Sequence, residues 1–128
     1  MEHLTRAECP VINKPGRTTN PAFGEPGTAA IPNPGYVGYA YYSQYYTQKY
    51  GTMVPHYHEA EIIYVIKAKD AYAVYGDTKE NMKREHLNAD DLIRFAAGEW
   101  HHFEVDSEEG YLDVICIFWD TDIGHSVE

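Results

Sequence analysis

The chain has 128 residues, 44% of them hydrophobic and 23% charged, a size and composition that suit one globular domain with one core. No apolar run approaches the roughly 20 residues that span a bilayer, which excludes a helical membrane protein. Twenty acidic against ten basic side chains give a formal charge of -10, which repels phosphate backbones and anionic lipid and disfavours nucleic acid or membrane partners.

The start, Met1 to Val11, lacks a basic segment followed by the apolar stretch of about 7 to 15 residues that marks a secretory signal, so a cytoplasmic address is expected. Residues 1 to 35 hold six of the seven prolines and four of the ten glycines, a density that disallows a long helix or a central strand. An extended arm is expected there, either a loose tail or a segment packed on its own barrel or on a partner. From Tyr36 onward, short runs of Tyr, Val, Ile and Phe alternate with turn residues, the pattern of an all-β sandwich or barrel occupying residues 36 to 128. Strands are expected at about 37 to 49, 61 to 67, 70 to 76, 82 to 87, 92 to 95, 100 to 106 and 111 to 119. The first of these could also be drawn as a helix face; its tyrosine density suits a partly wet surface such as a cavity wall or a subunit interface. Tyr111 to Trp119 is almost continuously apolar, as expected of a strand buried on both faces. Cys9 and Cys116 have no CxxC spacing, so Cys116 is expected to be a free buried thiol.

Four residues carry the chemistry. His56, His58, Glu61 and His101 form a first-row transition-metal ligand set of three imidazoles and one carboxylate. His56 and His58 are two apart and, on a strand, share a face; His101 enters from a distant strand, so only a closed sheet can bring all four together. These residues resemble the cupin motifs. The first, GX5HXHX3-4EX6G, is met by Gly51, His56, His58 and Glu61, with Ala68 at the final glycine. The second, GX5PXGX2HX3N, is met by Ala89, Ala96, Gly98, His101 and Val105. The spacing is one residue short before His56 and again before Glu61, so Glu59 competes for the carboxylate position.

The resemblance implies a jelly-roll barrel with a divalent transition metal, Fe, Mn, Ni or Zn, held by His56, His58, Glu61 and His101. His102 should alternate outward, and His3, His86 and His125 fall in tail or turn contexts. Counting back from a solvated Lys49, the inward face of the preceding strand would present Gln44, Tyr46 and Gln48, with Tyr46 the acid-base candidate and the two glutamines the substrate-binding ones. Ile63 and Val65 would give an apolar floor, and with Arg94 outside, the cavity is expected to be poor in cations. Four protein ligands leave two positions of an octahedral ion for a small bidentate substrate, or for substrate and dioxygen. A metal-dependent enzyme of the isomerase, lyase, decarboxylase or dioxygenase type is therefore expected. A non-catalytic small-ligand or sensory module is the alternative. The N-terminal arm and open sheet edges suggest a homodimer.

Overall fold

The computed structural model describes residues 3–14, 16–22, 39–46, 54–118 and 126–127. A short 3-10 helix, Arg6–Glu8, precedes eleven strands: β1 Ile12–Lys14, β2 Arg17–Pro21, β3 Tyr39–Tyr45, β4 His56–Tyr57, β5 Glu61–Lys69, β6 Ala71–Thr78, β7 Asn81–His86, β8 Leu92–Phe95, β9 Trp100–Val105, β10 Tyr111–Phe118 and β11 Ser126–Val127. They form a six-stranded sheet in the order β1-β2-β3-β10-β5-β8 and a five-stranded sheet in the order β11-β4-β9-β6-β7. Every pairing is antiparallel.

The two sheets close on a core set by strict alternation. Glu61, Ile63 and Val65 of β5, His101, Phe103 and Val105 of β9, and Leu112, Val114, Cys116 and Phe118 of β10 are all buried. Ile63, Val65, Leu112 and Val114 have no exposed surface at all, and burying each such side chain stabilises the fold by about 1.5 to 3 kcal/mol. β10 lies between β3 and β5 in the middle of its sheet; its inner face is buried, whereas on the other face Ile115 is partly buried and Ile117 is 40% exposed. Its one buried charge, Asp113, is neutralised by a two-pronged contact with Arg6 at 2.8 and 3.2 Å, so the N-terminal 3-10 turn is fastened to the central strand.

Three expectations need correction. Residues 12 to 21 pack on their own barrel, one of the two alternatives, but as strands where no central strand was expected: β1 and β2 make a hairpin that adds to β3 in the same sheet. Here the prolines punctuate instead of forbidding strands. Pro21 ends β2, Gly16 takes the positive φ of 73° that the turn demands, and the β-branched Thr18 and Thr19 supply the extended backbone. The remaining arm residues, 23 to 35, lie outside the described residues. The second correction concerns motif register. The positive φ near the start of the second motif belongs to Asp90, at 72°, one residue past Ala89, which restores the five-residue interval to Ala96. Third, β4 is a two-residue strand that the sequence pattern did not isolate; it pairs through His56 with His101 of β9. Among the described residues, no helix is long and apolar enough to cross a membrane.

Candidate metal centre

The register just described dictates the site. His56 and His101 are direct cross-strand partners, so both imidazoles leave the same inner face of the five-stranded sheet. His58 follows β4 in a segment pinned to the second motif, because the Gly98 N–H donates to the His58 carbonyl at 3.0 Å. Gly98 itself has φ 78°, a conformation that glycine adopts without cost. Glu61 enters from the facing sheet as the first residue of β5.

One ring nitrogen from each of His56, His58 and His101 lies within 4.8 Å of the other two. Each ring is fixed from behind: Nδ1 sits 2.8 Å from the Val54 carbonyl in His56, 2.7 Å from the Glu59 carbonyl in His58 and 2.9 Å from the Glu99 carbonyl in His101. A carbonyl only accepts, so each Nδ1 carries the proton and each Nε2 is left with a lone pair. Phe95 stacks on His101 with centroids 4.0 Å apart and planes 9° from parallel, which fixes the ring further. The consequence is electrostatic. Nε2 of His58 and Nε2 of His101 face each other at 3.1 Å, and Oε1 of Glu61 lies 3.3 Å from the first and 3.0 Å from the second. Lone pairs and a carboxylate converging at such distances require a positive charge among them, either a proton or a metal ion.

Proton equilibria follow the same logic. Burial, reinforced by the neighbouring His101, pulls His56 from 6.5 down to about 4, so it is neutral and ready to ligate. Burial also opposes charge on His58, but the Glu61 carboxylate outweighs it and lifts His58 above its ordinary value. Burial would raise Glu61; the hydrogen bonds from His101 and His58 win and hold it at about 2. With an ion in place of the proton shared by His58 and Glu61, the donor set is three imidazole nitrogens and one ionised oxygen, which suits a borderline divalent cation. Glu59, the competing carboxylate, is buried but lies behind the ring, with Oε1 3.8 Å from His58 Nδ1.

The same small cavity, about 40 Å³, is also lined by Arg17, Tyr41, Tyr45, Phe103 and Cys116. Several of these overturn expectations. The inward residues of β3 are Tyr41, Ser43 and Tyr45, all buried, whereas Gln44 and Tyr46 line a groove on the other face, beside Lys67, Tyr111 and Asp113. Tyr46 is 42% exposed, and its hydroxyl bonds Gln44 Oε1 at 3.0 Å, far from the imidazoles in the sheet's geometry. The parity failed because it was counted from Lys49, beyond the end of β3 at Tyr45; Gln48 lies outside the described residues. The register of β3 with β10, which pairs Tyr41 with the inward Cys116, is what sets the face. The cavity is not without cations either, since Arg17 reaches it from the hairpin. Burial pushes Tyr45 up to about 12 and raises Tyr41 and Cys116 well above their ordinary values, so these groups are proton donors and not bases. His102 does alternate to the outer face, opposite Val74, yet it is buried there, with Nε2 3.1 Å from Glu104 Oε2. His3 and His86 are exposed, as expected; His125 lies outside the described residues.

No protein-family model and no curated protein sequence matches the chain. Solved structures do. Hydroxypropylphosphonic acid epoxidase from S. wedmorenis superposes with a TM-score of 0.70 at 14% identity, over 92% of this chain and 59% of the epoxidase. An oxalate decarboxylase variant from Bacillus subtilis gives 0.69 at 18% identity, over 94% of this chain and 30% of that one. Vicilin from hazelnut, Corylus avellana, gives 0.67 at 12% identity, over 94% and 33%. The chain thus spans about three fifths of the epoxidase and about a third of the other two. The epoxidase has been seen with Fe(II), and Mn(II) centres are described for the decarboxylase. With two antiparallel sheets closed around a histidine triad and these neighbours in shape, the chain has the cupin fold.

Proposed function

We propose that the protein is a metal-dependent enzyme acting on a small organic substrate, with one divalent transition ion held by His56, His58, His101 and Glu61. The observation that carries this reading is the convergence of His58 Nε2, His101 Nε2 and the Glu61 carboxylate within 3.0 to 3.3 Å of one another, an arrangement that calls for a positive charge at its centre. Fe(II), Mn(II), Ni(II) and Zn(II) all suit such a set. When bound, the ion supplies Lewis acidity toward a substrate oxygen.

The chain's own residues do the rest. The three backbone carbonyls orient the imidazoles before any ligand arrives, so little reorganisation accompanies binding. Tyr41 and Tyr45, kept protonated by burial, donate hydrogen bonds or a proton to an oxygen in the cavity, the role the sequence had suggested for Tyr46. Phe95, Phe103 and Phe118 pack round the site and limit water. A cytoplasmic address and a homodimer belong to the same proposal. The β1 edge supports the second: β1 is the terminal strand of its sheet among the described residues, with Val11 and Ile12 exposed there.

The test is elemental analysis of untagged protein, followed by reloading with each of the four ions and screening 2-hydroxy acids, 2-keto acids, sugars and β-dicarbonyl compounds with and without oxygen. Turnover that needs metal and is lost in His56→Ala and His101→Ala is the expected result. A wild-type protein that binds none of the ions refutes it.

A further inference from the structure

The hairpin that the sequence marked as an arm delivers a cation to the metal cavity. On β2, Arg17 pairs with Tyr45 and Thr19 with Ser43; since Tyr45 and Ser43 are buried on the inner face, alternation sends Arg17 and Thr19 inward too. Thr19 is 2% exposed and accepts the Arg17 Nε–H at 2.9 Å. Tyr45 flanks the guanidinium, with Cζ 5.8 Å from the ring centroid. That bond orients the side chain and uses only one of its five N–H donors. Among the described residues no carboxylate lies within ion-pair distance of Arg17, although of the other strongly bonded arginines Arg6 holds one and Arg84 holds two.

An arginine turned into a cavity and held by its Nε, with no ion-pair partner among the described residues, has its planar fork left for a ligand. We propose that Arg17 binds the carboxylate of a small organic acid whose other oxygens face the His56, His58, His101 and Glu61 cluster. This rests on the function proposed above and names its substrate class. The charge balance agrees. Glu61 is the one carboxylate lining the cavity among the described residues, so a divalent ion and a guanidinium leave it net positive inside a chain of formal charge -10. That contrast selects anions at one place and repels them elsewhere. The volume of about 40 Å³, part of which the ion would fill, favours a small acid over a large one.

Glycolate is the probe, with glycolamide as its uncharged isostere, titrated calorimetrically into Mn(II)-loaded protein. The wild type should bind glycolate at least tenfold more tightly than glycolamide. Arg17→Gln should lose tenfold or more in glycolate affinity while keeping its Mn(II) uptake. Arg17→Lys, which keeps the charge without the fork, should lie between and guards against a variant that fails to fold. Arg94→Gln, which removes an exposed cation, should match wild type. Equal affinity for glycolate and glycolamide, or unchanged glycolate binding in both folded Arg17 variants, overturns the proposal. If the wild type takes up no Mn(II), the metal reading fails by itself. Arg17 is then judged on metal-free protein by the shift of its guanidinium NMR signals with glycolate: a saturable shift supports it and none overturns it.

Discussion

Phe95→Ala probes how the core and the site share one side chain. Phe95 is 2% exposed, stacks on His101 at 4.0 Å and touches Phe103 with centroids 6.0 Å apart. Truncation removes a buried ring and leaves a void between the two sheets, a change that costs about 3 to 5 kcal/mol in other cores. At roughly 3 to 5 °C per kcal/mol for a domain of this size, the melting temperature should fall by about 10 to 20 °C. It should also loosen the His101 ring, which loses its stacking partner and keeps the Glu99 and Glu61 contacts, and weaken Mn(II) binding by about tenfold. Phe95→Leu, which refills much of the volume, should recover most of the stability but not the stacking. Urea unfolding of the metal-free protein and calorimetric Mn(II) titration separate the two effects. A loss of less than about 1 kcal/mol in the alanine variant would refute the packing argument, and unchanged Mn(II) affinity in both variants would refute the orienting role.

His101→Ala should weaken metal binding well over tenfold and leave the barrel folded, because the core strands bury their own apolar residues; circular dichroism and metal titration check both halves. His102→Ala should leave metal content unchanged, since that side chain faces the outer surface of the sheet opposite Val74. Glu61→Gln should lower metal affinity far more than Glu59→Gln, because Glu61 touches both Nε2 atoms whereas Glu59 lies behind the His58 ring; equal losses would assign the carboxylate wrongly. The metal-free protein should lose stability as pH falls from 6.5 to 4.5. His56, depressed to about 4, takes up its proton in the unfolded chain first, so its contribution is complete above 6.5 and declines below it. Two pH units in that window amount to about 2 to 3 kcal/mol. His58 shifts upward, so its contribution has the opposite sign: it is present below 6.5 and is lost as pH rises above that; Glu61 acts only below about 4.5. A flat urea midpoint across the window, or the same slope in His56→Asn, would contradict the assignment.

The sheet strands were legible because alternation and turn residues are local. Gly98 and the Ile63–Val65 parity write themselves into the sequence, whereas the turn at Asp90 was placed one residue early, at Ala89. What brings ligands together was legible only through the paired histidines and the cupin resemblance, since nothing local says that His56 faces His101 across a ladder. The β1–β2 hairpin was hidden by the proline density of its sequence, yet Pro21, at the end of β2, sits where a strand tolerates a missing ladder donor. The β3 error has the opposite cause. Six residues between Tyr39 and Tyr46 read equally well on either face, and only the pairing of Tyr41 with Cys116 decides which tyrosines see the metal cavity. Arg17 was missed for both reasons together, an isolated cation in a segment assigned to no sheet.

X-ray absorption at the metal edge of Mn(II)-loaded protein tests the central claim most directly. The account predicts nitrogen and oxygen neighbours at ~2.0 to 2.3 Å with the multiple-scattering signature of three imidazoles, falling to two in His101→Ala. A spectrum with oxygen neighbours alone, or one that His101→Ala leaves unchanged, would show that the ion binds elsewhere and that the histidine cluster is not its site.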